Sequence, residues 1–214
     1  MPWVALDGGI GVGKTTVLDF MRRQGVSVLE EPVGDPSTQT RGPWDALLED
    51  MYAGLPGAAF AFQMRVVQDR ALSDAVVETG QALTSWGCME RSPDMQRRTF
   101  VRMQSFDEAQ KHEIEEAYDT AASLWRPAAI IYLRASPKVS FDRMKRRARS
   151  SEATVALKYH QELYDMHDLA VMDLHTERVV PVHCIDVDGM TTEEVGVEVM
   201  RVYRLVQRQH AAKA

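Results

Sequence analysis

The residues Gly8-Gly9-Ile10-Gly11-Val12-Gly13-Lys14-Thr15 satisfy the spacing G-x-x-x-x-G-K-[ST] without a gap. A turn so rich in glycine lets successive backbone N–H groups point inward around phosphate oxygens. A helix opening directly behind it adds the positive end of its dipole. Lys14 is then suited to bridge the β- and γ-phosphates of a nucleoside triphosphate, and the Thr15 hydroxyl to ligate Mg²⁺, with Thr16 extending the phosphate-binding run. Taken alone, the loop announces a nucleotide site and leaves kinase, switch and motor open.

Three further groups of charges narrow the chemistry. The chain has no Asn-Lys-x-Asp reader of a guanine base, and its third apolar run ends in Glu90-Arg91. A carboxylate in that place can hold Mg²⁺ directly or through water. An arginine there can bind a phosphoryl group in flight. The second apolar run ends in Glu30-Glu31-Pro32. A hydroxyl acceptor must lose a proton as it attacks phosphorus, and a carboxylate within reach assists. Pro32 biases Glu31 toward extended backbone, and side chains alternate along a strand, so one of Glu30 and Glu31 faces the crevice; Glu31 is the candidate. The third group is basic: Arg143, Lys145, Arg146, Arg147 and Arg149. It reads either as a solvated face or as a lid closing arginines over the triphosphate, and the i, i+4 spacing of Arg143 and Arg147 favours the lid.

These residues need a scaffold, and the hydrophobic pattern supplies one. Short apolar runs at Trp3–Leu6, Val26–Leu29, Ala82–Met89, Ala128–Leu133 and Val179–Ile185 alternate with helical patterns at Thr16–Gln24, Ala46–Tyr52, Ala58–Glu78, Glu108–Leu124, Pro137–Arg147, Leu157–Leu174 and Thr192–Gln207. Gly34 to Pro43 reads as a turn-rich loop. Apolar strands separated by helices pair in parallel and are covered on both faces. The expected fold is therefore α/β: a P-loop NTPase-like three-layer fold with a five-stranded parallel sheet, helices on both faces and an arginine-rich lid. Ligands of such sheets bind beyond the carboxyl ends of the strands, where Asp7, Glu31 and Glu90-Arg91 stand. The 214 residues suit a single domain over 1–214. A net charge of −6 argues against a nucleic-acid partner, and no apolar run spans a bilayer, so no membrane partner is expected. Cys88 and Cys184 sit in apolar runs and read as small buried thiols of a reduced, cytoplasm-like compartment; a transit peptide already removed from a mature chain would leave the same sequence.

The motifs together resemble the deoxynucleoside kinase family, whose members include deoxycytidine, deoxyguanosine and mitochondrial thymidine kinases. The resemblance runs over nearly the whole chain: the phosphate loop, Glu31-Pro32-Val33, Met51-Tyr52, Phe62-Gln63, Met89-Glu90-Arg91-Ser92, Ile130-Ile131-Tyr132-Leu133-Arg134, Arg147-Ala148-Arg149-Ser150, and Leu157-Lys158-Tyr159 with Gln161-Glu162-Leu163. It implies a kinase that moves the γ-phosphate of ATP or another NTP, with Mg²⁺, onto the 5′-hydroxyl of a deoxynucleoside, and it implies a homodimer. Carried over, it makes Glu31 the base, oriented by Arg91. Tyr52 and Glu152 hold the sugar 3′-hydroxyl. Gln63 pairs with the base edge, Phe100 stacks on the base, and Phe62 and Val66 wall the pocket. Arg143, Arg147 and Arg149 form the lid.

Two departures from the family pattern bear on the acceptor. The tryptophan usual after Glu-Pro-Val is replaced by Gly34-Asp35-Pro36, the nearest one being Trp44. Arg70 matches a base-reading arginine, but Gln96 stands where its aspartate partner is usual. A long guanidinium there is expected to crowd thymine. Left without a carboxylate, it is expected to seek the O6 and N7 acceptors of guanine, placing deoxyguanosine first and deoxycytidine next. The competing readings are a thymidylate-type monophosphate kinase, and a P-loop regulator that binds nucleotide without an acceptor.

Overall fold

The computed structural model describes residues 3–34, 41–71 and 86–212. Five strands form one parallel sheet: β1 (Trp3–Gly8), β2 (Ser27–Leu29), β3 (Gly87–Glu90), β4 (Ala129–Arg134) and β5 (Val182–Asp186), in the order β2-β3-β1-β4-β5. β1 is central and wholly buried, as expected of a strand covered on both faces. Its side chains divide by alternation. Val4 and Leu6 pack with Leu18 and Met21 of α1 (Lys14–Arg23) and with Val195, Val199 and Val202 of α8 (Thr192–Ala211). Trp3 and Ala5 pack on the opposite face with Met95 of α4 (Pro93–Gln96) and with Ala170 and Leu174 of α7 (Leu157–Glu177). Each large side chain fully buried here, such as Leu18 or Met21, contributes roughly 1.5–3 kcal/mol relative to exposure. The remaining helices are α2 (Asp45–Tyr52), α3 (Ala58–Ala71), α5 (Glu108–Leu124) and α6 (Pro137–Arg147).

The register aligns the chemical residues. Leu6 pairs with Glu90, and Leu29 pairs with Met89. Asp7, Arg91 and the pair Glu30-Glu31 therefore leave the sheet at one level, side by side. α8, the last helix, is fixed at its start by a capping box in which Thr191 accepts from the Glu194 backbone N–H and Glu194 reaches back.

The fold class and sheet match expectation, and boundaries shift at several ends. The strand expected over Ala82–Met89 is Gly87–Glu90, residues 82–85 lying outside the described residues, as do 72–78 of the helix expected over Ala58–Glu78. The last strand starts at Val182 rather than Val179, and α7 continues past Leu174 to Glu177. Two helical segments were not anticipated: a 3-10 turn at Ser150–Glu152, and α4, which runs directly into a π turn at Arg97–Val101. The start of α4 was legible, because Ser92 caps it by accepting from Met95 N–H and Pro93 occupies its first position. Four cationic and polar residues, Gln96 to Thr99, hid the apolar remainder.

Cys88 is buried as expected, while Cys184 is exposed. Cys184 lies on β5, an edge strand of the sheet, where one face is not covered along its whole length. The native chain should therefore yield one thiol to Ellman's reagent and the urea-unfolded chain two, with Cys184→Ser silent until unfolded. Two reactive thiols in the native protein would contradict this placement.

Candidate active site

The phosphate loop closes on itself at the carboxyl end of β1. Gly13 adopts φ 106° as it caps α1, a conformation costly for any residue with a Cβ. Lys14 is buried, and its Nζ donates to the carbonyls of Gly8 and Gly9 at 3.1 Å each while standing 3.9 Å from Glu90. Burial, with the charge of Arg91, lowers the Lys14 pKa to about 8 despite Glu90, Glu31 and Asp7. Thr15 and Thr16 are exposed at the first turn of α1 and line the cavity described below.

Arg91 is the hub. Its backbone takes φ 56°, a left-handed conformation that is ordinarily glycine's preserve and costs another residue of order 1–3 kcal/mol. The turn aims its buried guanidinium back over β1. Nη1 donates to the Gly8 carbonyl at 2.9 Å and lies 3.8 Å from Asp7, and Nε lies 3.1 Å from Glu31 Oε1. Asp7 in turn accepts from the N–H groups of Gly8 and Ser92. Burial disfavours the arginine's charge, but Glu31, Asp7 and Glu90 outweigh it and raise its pKa. Burial also opposes the charge of Glu31, yet Arg91, Lys14 and Arg70 hold that carboxyl below its ordinary range. The two carboxylates at the end of β2 take different partners, although both line the cavity described below. Glu31 pairs with Arg91, whereas Glu30 pairs with Arg22 of α1 at 3.0 Å.

One cavity of about 810 Å³ runs across these residues. Ile10 to Thr16, Glu90 and Arg91 line its middle, and Arg143, Arg146, Arg147 and Arg149 cover it from α6 and the segment behind. At one end stand Tyr52, Phe62, Gln96, Phe100 and Glu152, all anticipated, together with Val33, Trp44 and Leu48, which were not assigned. Trp44 meets Phe62 edge-on at 6.1 Å and anchors its indole N–H on Asp69, so it builds the wall left open by the missing tryptophan. At the other end Asp19, Met190, Thr192 and Val195 also went unassigned. Their residue types are ordinary; the available signal was position, Asp19 on the helix behind the phosphate loop and the other three beyond β5, where ligands of such sheets bind.

Several expected contacts fall differently. The Glu152 carboxylate is held by Arg147 at 2.6 Å and Arg149 at 3.1 Å, while the Tyr52 ring packs edge-on against Tyr159. Two of the expected lid arginines are thus tied to the residue expected at the sugar. Gln63, Val66 and Arg70 lie behind the cavity wall. Val66 and Arg70 border a small void shared with Gln96 and Tyr118, and Gln63 is fully buried with its Oε1 accepting from the Tyr118 hydroxyl at 3.0 Å and from Gln96 Nε2 at 3.4 Å. Arg70 donates to the Glu90 carbonyl. The guanidinium expected to lack a partner has one, which removes the premise for its seeking guanine. Gln96 instead keeps an unpartnered Oε1, and Gln63 an unpartnered Nε2.

With this geometry in view, comparison with known sequences is decisive. A sequence model described as deoxynucleoside kinase matches residues 4–206. The chain belongs to the deoxynucleoside kinase family. It is 28% identical over 203 residues to a probable deoxycytidine kinase of fowlpox virus, spanning 87% of this chain and 79% of that one. It is 28% identical over 191 residues to the mitochondrial deoxyguanosine kinase of Xenopus laevis, spanning 77% and 71%. A solved deoxyadenosine kinase from M. mycoides, with the products dCMP and dCDP bound, shares the fold at a TM-score of 0.70 and 19% identity, over 95% of this chain and 99% of that one. These relatives are named for three different nucleosides, so kinship establishes a kinase and leaves its base preference to the pocket.

The Arg91–Glu31 and Arg22–Glu30 pairs assign the two carboxylates opposite fates in this kinase. Glu31→Gln keeps the shape and removes the carboxylate expected to act as base, so kcat should fall by roughly 10²–10⁴. Glu30→Gln, which loosens a half-exposed ion pair, should leave kcat within about threefold. Steady-state kinetics of the two variants checks this, and a reversal of the two effects would contradict the assignment.

Proposed function

We propose that the enzyme transfers the γ-phosphate of ATP to the 5′-hydroxyl of a deoxynucleoside, with Glu31 as general base. The observation that carries the reading is the position of the Glu31–Arg91 pair at the middle of one cavity, between the phosphate loop and an aromatic end built by Trp44, Phe62 and Phe100. Among the strand-end residues of the cavity is a carboxylate, Glu31, held by Arg91. That suits an acceptor whose reacting group is a hydroxyl and suits poorly one that already carries a phosphate.

In this reading Glu31 is ionised at neutral pH and takes the 5′-hydroxyl proton on its carboxylate. Arg91 fixes the orientation of that carboxylate and, with Lys14, supplies positive charge where the phosphoryl group passes. Burial, followed by Tyr159 and Glu152, raises the Tyr52 pKa well above its ordinary value, so its hydroxyl keeps its proton and can donate to a sugar oxygen. Tyr52 and Glu152 share that end of the cavity and are the proposed partners of the 3′-hydroxyl. Thr15 and Glu90 present a hydroxyl and a carboxylate to the same cavity, the hard oxygen donors Mg²⁺ takes. Such an ion, when bound, neutralises charge on the phosphates. A homodimer belongs to the same proposal, and light scattering of the purified chain tests it.

For the base we propose an exocyclic amino group as the recognised feature, which cytosine, adenine and guanine carry and thymine lacks. The support is the unpartnered Gln96 Oε1 at the cavity wall, a buried acceptor that an amino group would satisfy. Incubation with ATP, Mg²⁺ and each deoxynucleoside, with products identified by mass, tests both levels. 5′-Monophosphates are expected, with thymidine giving the lowest kcat/KM and 2′,3′-dideoxynucleosides falling well below their 3′-hydroxyl parents. Phosphorylation confined to nucleoside monophosphates would overturn the reaction, and thymidine as best substrate would overturn the base reading alone.

A further inference from the structure

Gly9 is the one glycine of the phosphate loop whose need for glycine comes from a neighbour rather than from its own backbone. Its φ is not left-handed, yet a Cβ built on it would overlap Cε2 and Cζ of Tyr164 and lie 2.8 Å from the Tyr164 hydroxyl oxygen. Tyr164 comes from α7, is buried, and sets its ring flat into the space beneath the loop, its hydroxyl 3.4 Å from the Ile10 carbonyl. The ring does not stand alone. Its centroid lies 5.1 Å from that of His160, whose Nε2 is 2.9 Å from the Ser140 hydroxyl on α6. Ser140 and Met144 press on the loop from the other side, where a Cβ on Gly11 would overlap the Ser140 carbonyl and stand 3.1 Å from Met144 Cβ. The same helix carries Arg143 and Arg147 over the cavity.

We propose that Tyr164 is a positioning residue for phosphate transfer: its ring sets the height of the loop at Gly9 and ties that height, through His160 and Ser140, to the helix bearing the lid arginines. The inference rests on the loop serving as the donor-phosphate cradle proposed above. Its physical basis is that Lys14 donates to the carbonyls of Gly8 and Gly9 themselves. A shift at Gly9 therefore moves the cation and the backbone donors together. A filler residue of the core would matter to stability only. A positioning residue acts on the donor side of the reaction and leaves the nucleoside end, built by α2, α3 and α4, as it was.

The test is a steric swap read by kinetics, ATP binding and melting. Gly9→Ala should raise the KM and Kd for ATP about tenfold or more and lower kcat by up to about 10², because displacements near 1 Å at a reacting centre cost that much. The KM for the nucleoside should stay within about threefold. Shortening the ring should relieve the clash, so Gly9→Ala with Tyr164→Ala returns the ATP constants to within about threefold of Tyr164→Ala alone, a non-additivity expected of touching side chains. Gly9→Ala with Tyr164→Phe, which keeps the ring, should not be rescued. Tyr164→Leu, also too short to reach Gly9, replaces the alanine variant if that one does not fold. ATP constants of Gly9→Ala within about twofold of the unmodified enzyme, or strictly additive losses, would overturn the proposal. ATP binding is read apart from turnover, so an unmodified protein that binds ATP without phosphorylating nucleosides would count against the kinase reading and leave this inference to be judged on the binding data.

Discussion

A single buried guanidinium holds the catalytic end of this fold together. Arg91 accepts a left-handed backbone in order to turn back across β1, and in that position it meets the Gly8 carbonyl, Asp7 and Glu31. Each partner depends on it. Asp7 and Glu31 are carboxylates taken out of water, and Arg91 is the leading counter-charge of each, so removing it breaks a buried pair on one side, a loss of about 3–5 kcal/mol. Burial pushes the Asp7 carboxyl upward, and the Arg91 charge with the Gly8 and Ser92 N–H groups opposes that push. The backbone strain at Arg91 is therefore offset locally, by the charges it satisfies and by its own N–H donating to the Leu6 carbonyl.

The same constraint explains why the cavity can serve two substrates. Donor phosphates and acceptor hydroxyl must meet with little freedom, since near-attack geometry accounts for much of the rate of such transfers. Arg91 fixes the phosphate loop and the candidate base to one another through atoms 2.9–3.1 Å from a single side chain. The arginines at and behind the end of α6 are tied to a different carboxylate. Arg147 and Arg149 rest on Glu152, and Arg149 also donates to the Gly34 carbonyl across the cavity. Glu152 itself is buried, while the Arg147 side chain keeps about a third of its surface in solvent.

The sequence made some of this legible and hid the rest for identifiable reasons. The phosphate loop, Glu31, Glu90 and Arg91 announce themselves because each interrupts an apolar strand at its end, and parallel strands deliver those ends to one edge. The choice of Glu31 over Glu30 rested on alternation and on Pro32; in space both line the cavity, and they differ in partner, Glu31 meeting Arg91 and Glu30 meeting Arg22. Gln63 and Arg70 were expected at the cavity because the family resemblance places a glutamine and an arginine of this helix at the base. They face inward, but the rotation of α3 turns them toward Tyr118, Gln96 and the Glu90 carbonyl behind the wall. Helical spacing reports which residues share a face and not what that face meets. Gly9 carried a similar concealment: its type fits any glycine-rich loop, and its particular reason is a tyrosine 155 positions later, visible only in three dimensions.

The central claim is that Arg91 and Glu31 work as one unit, and a double-mutant cycle on kcat/KM measures that directly. Arg91→Met, Glu31→Gln and the double variant are compared with the unmodified enzyme at saturating ATP, with folding checked by melting. The account predicts strong non-additivity: either change alone costs nearly as much as both together, as for groups that act jointly in one transition state. Losses that simply multiply would contradict it, showing that the arginine and the carboxylate contribute to the reaction independently of the contact between them.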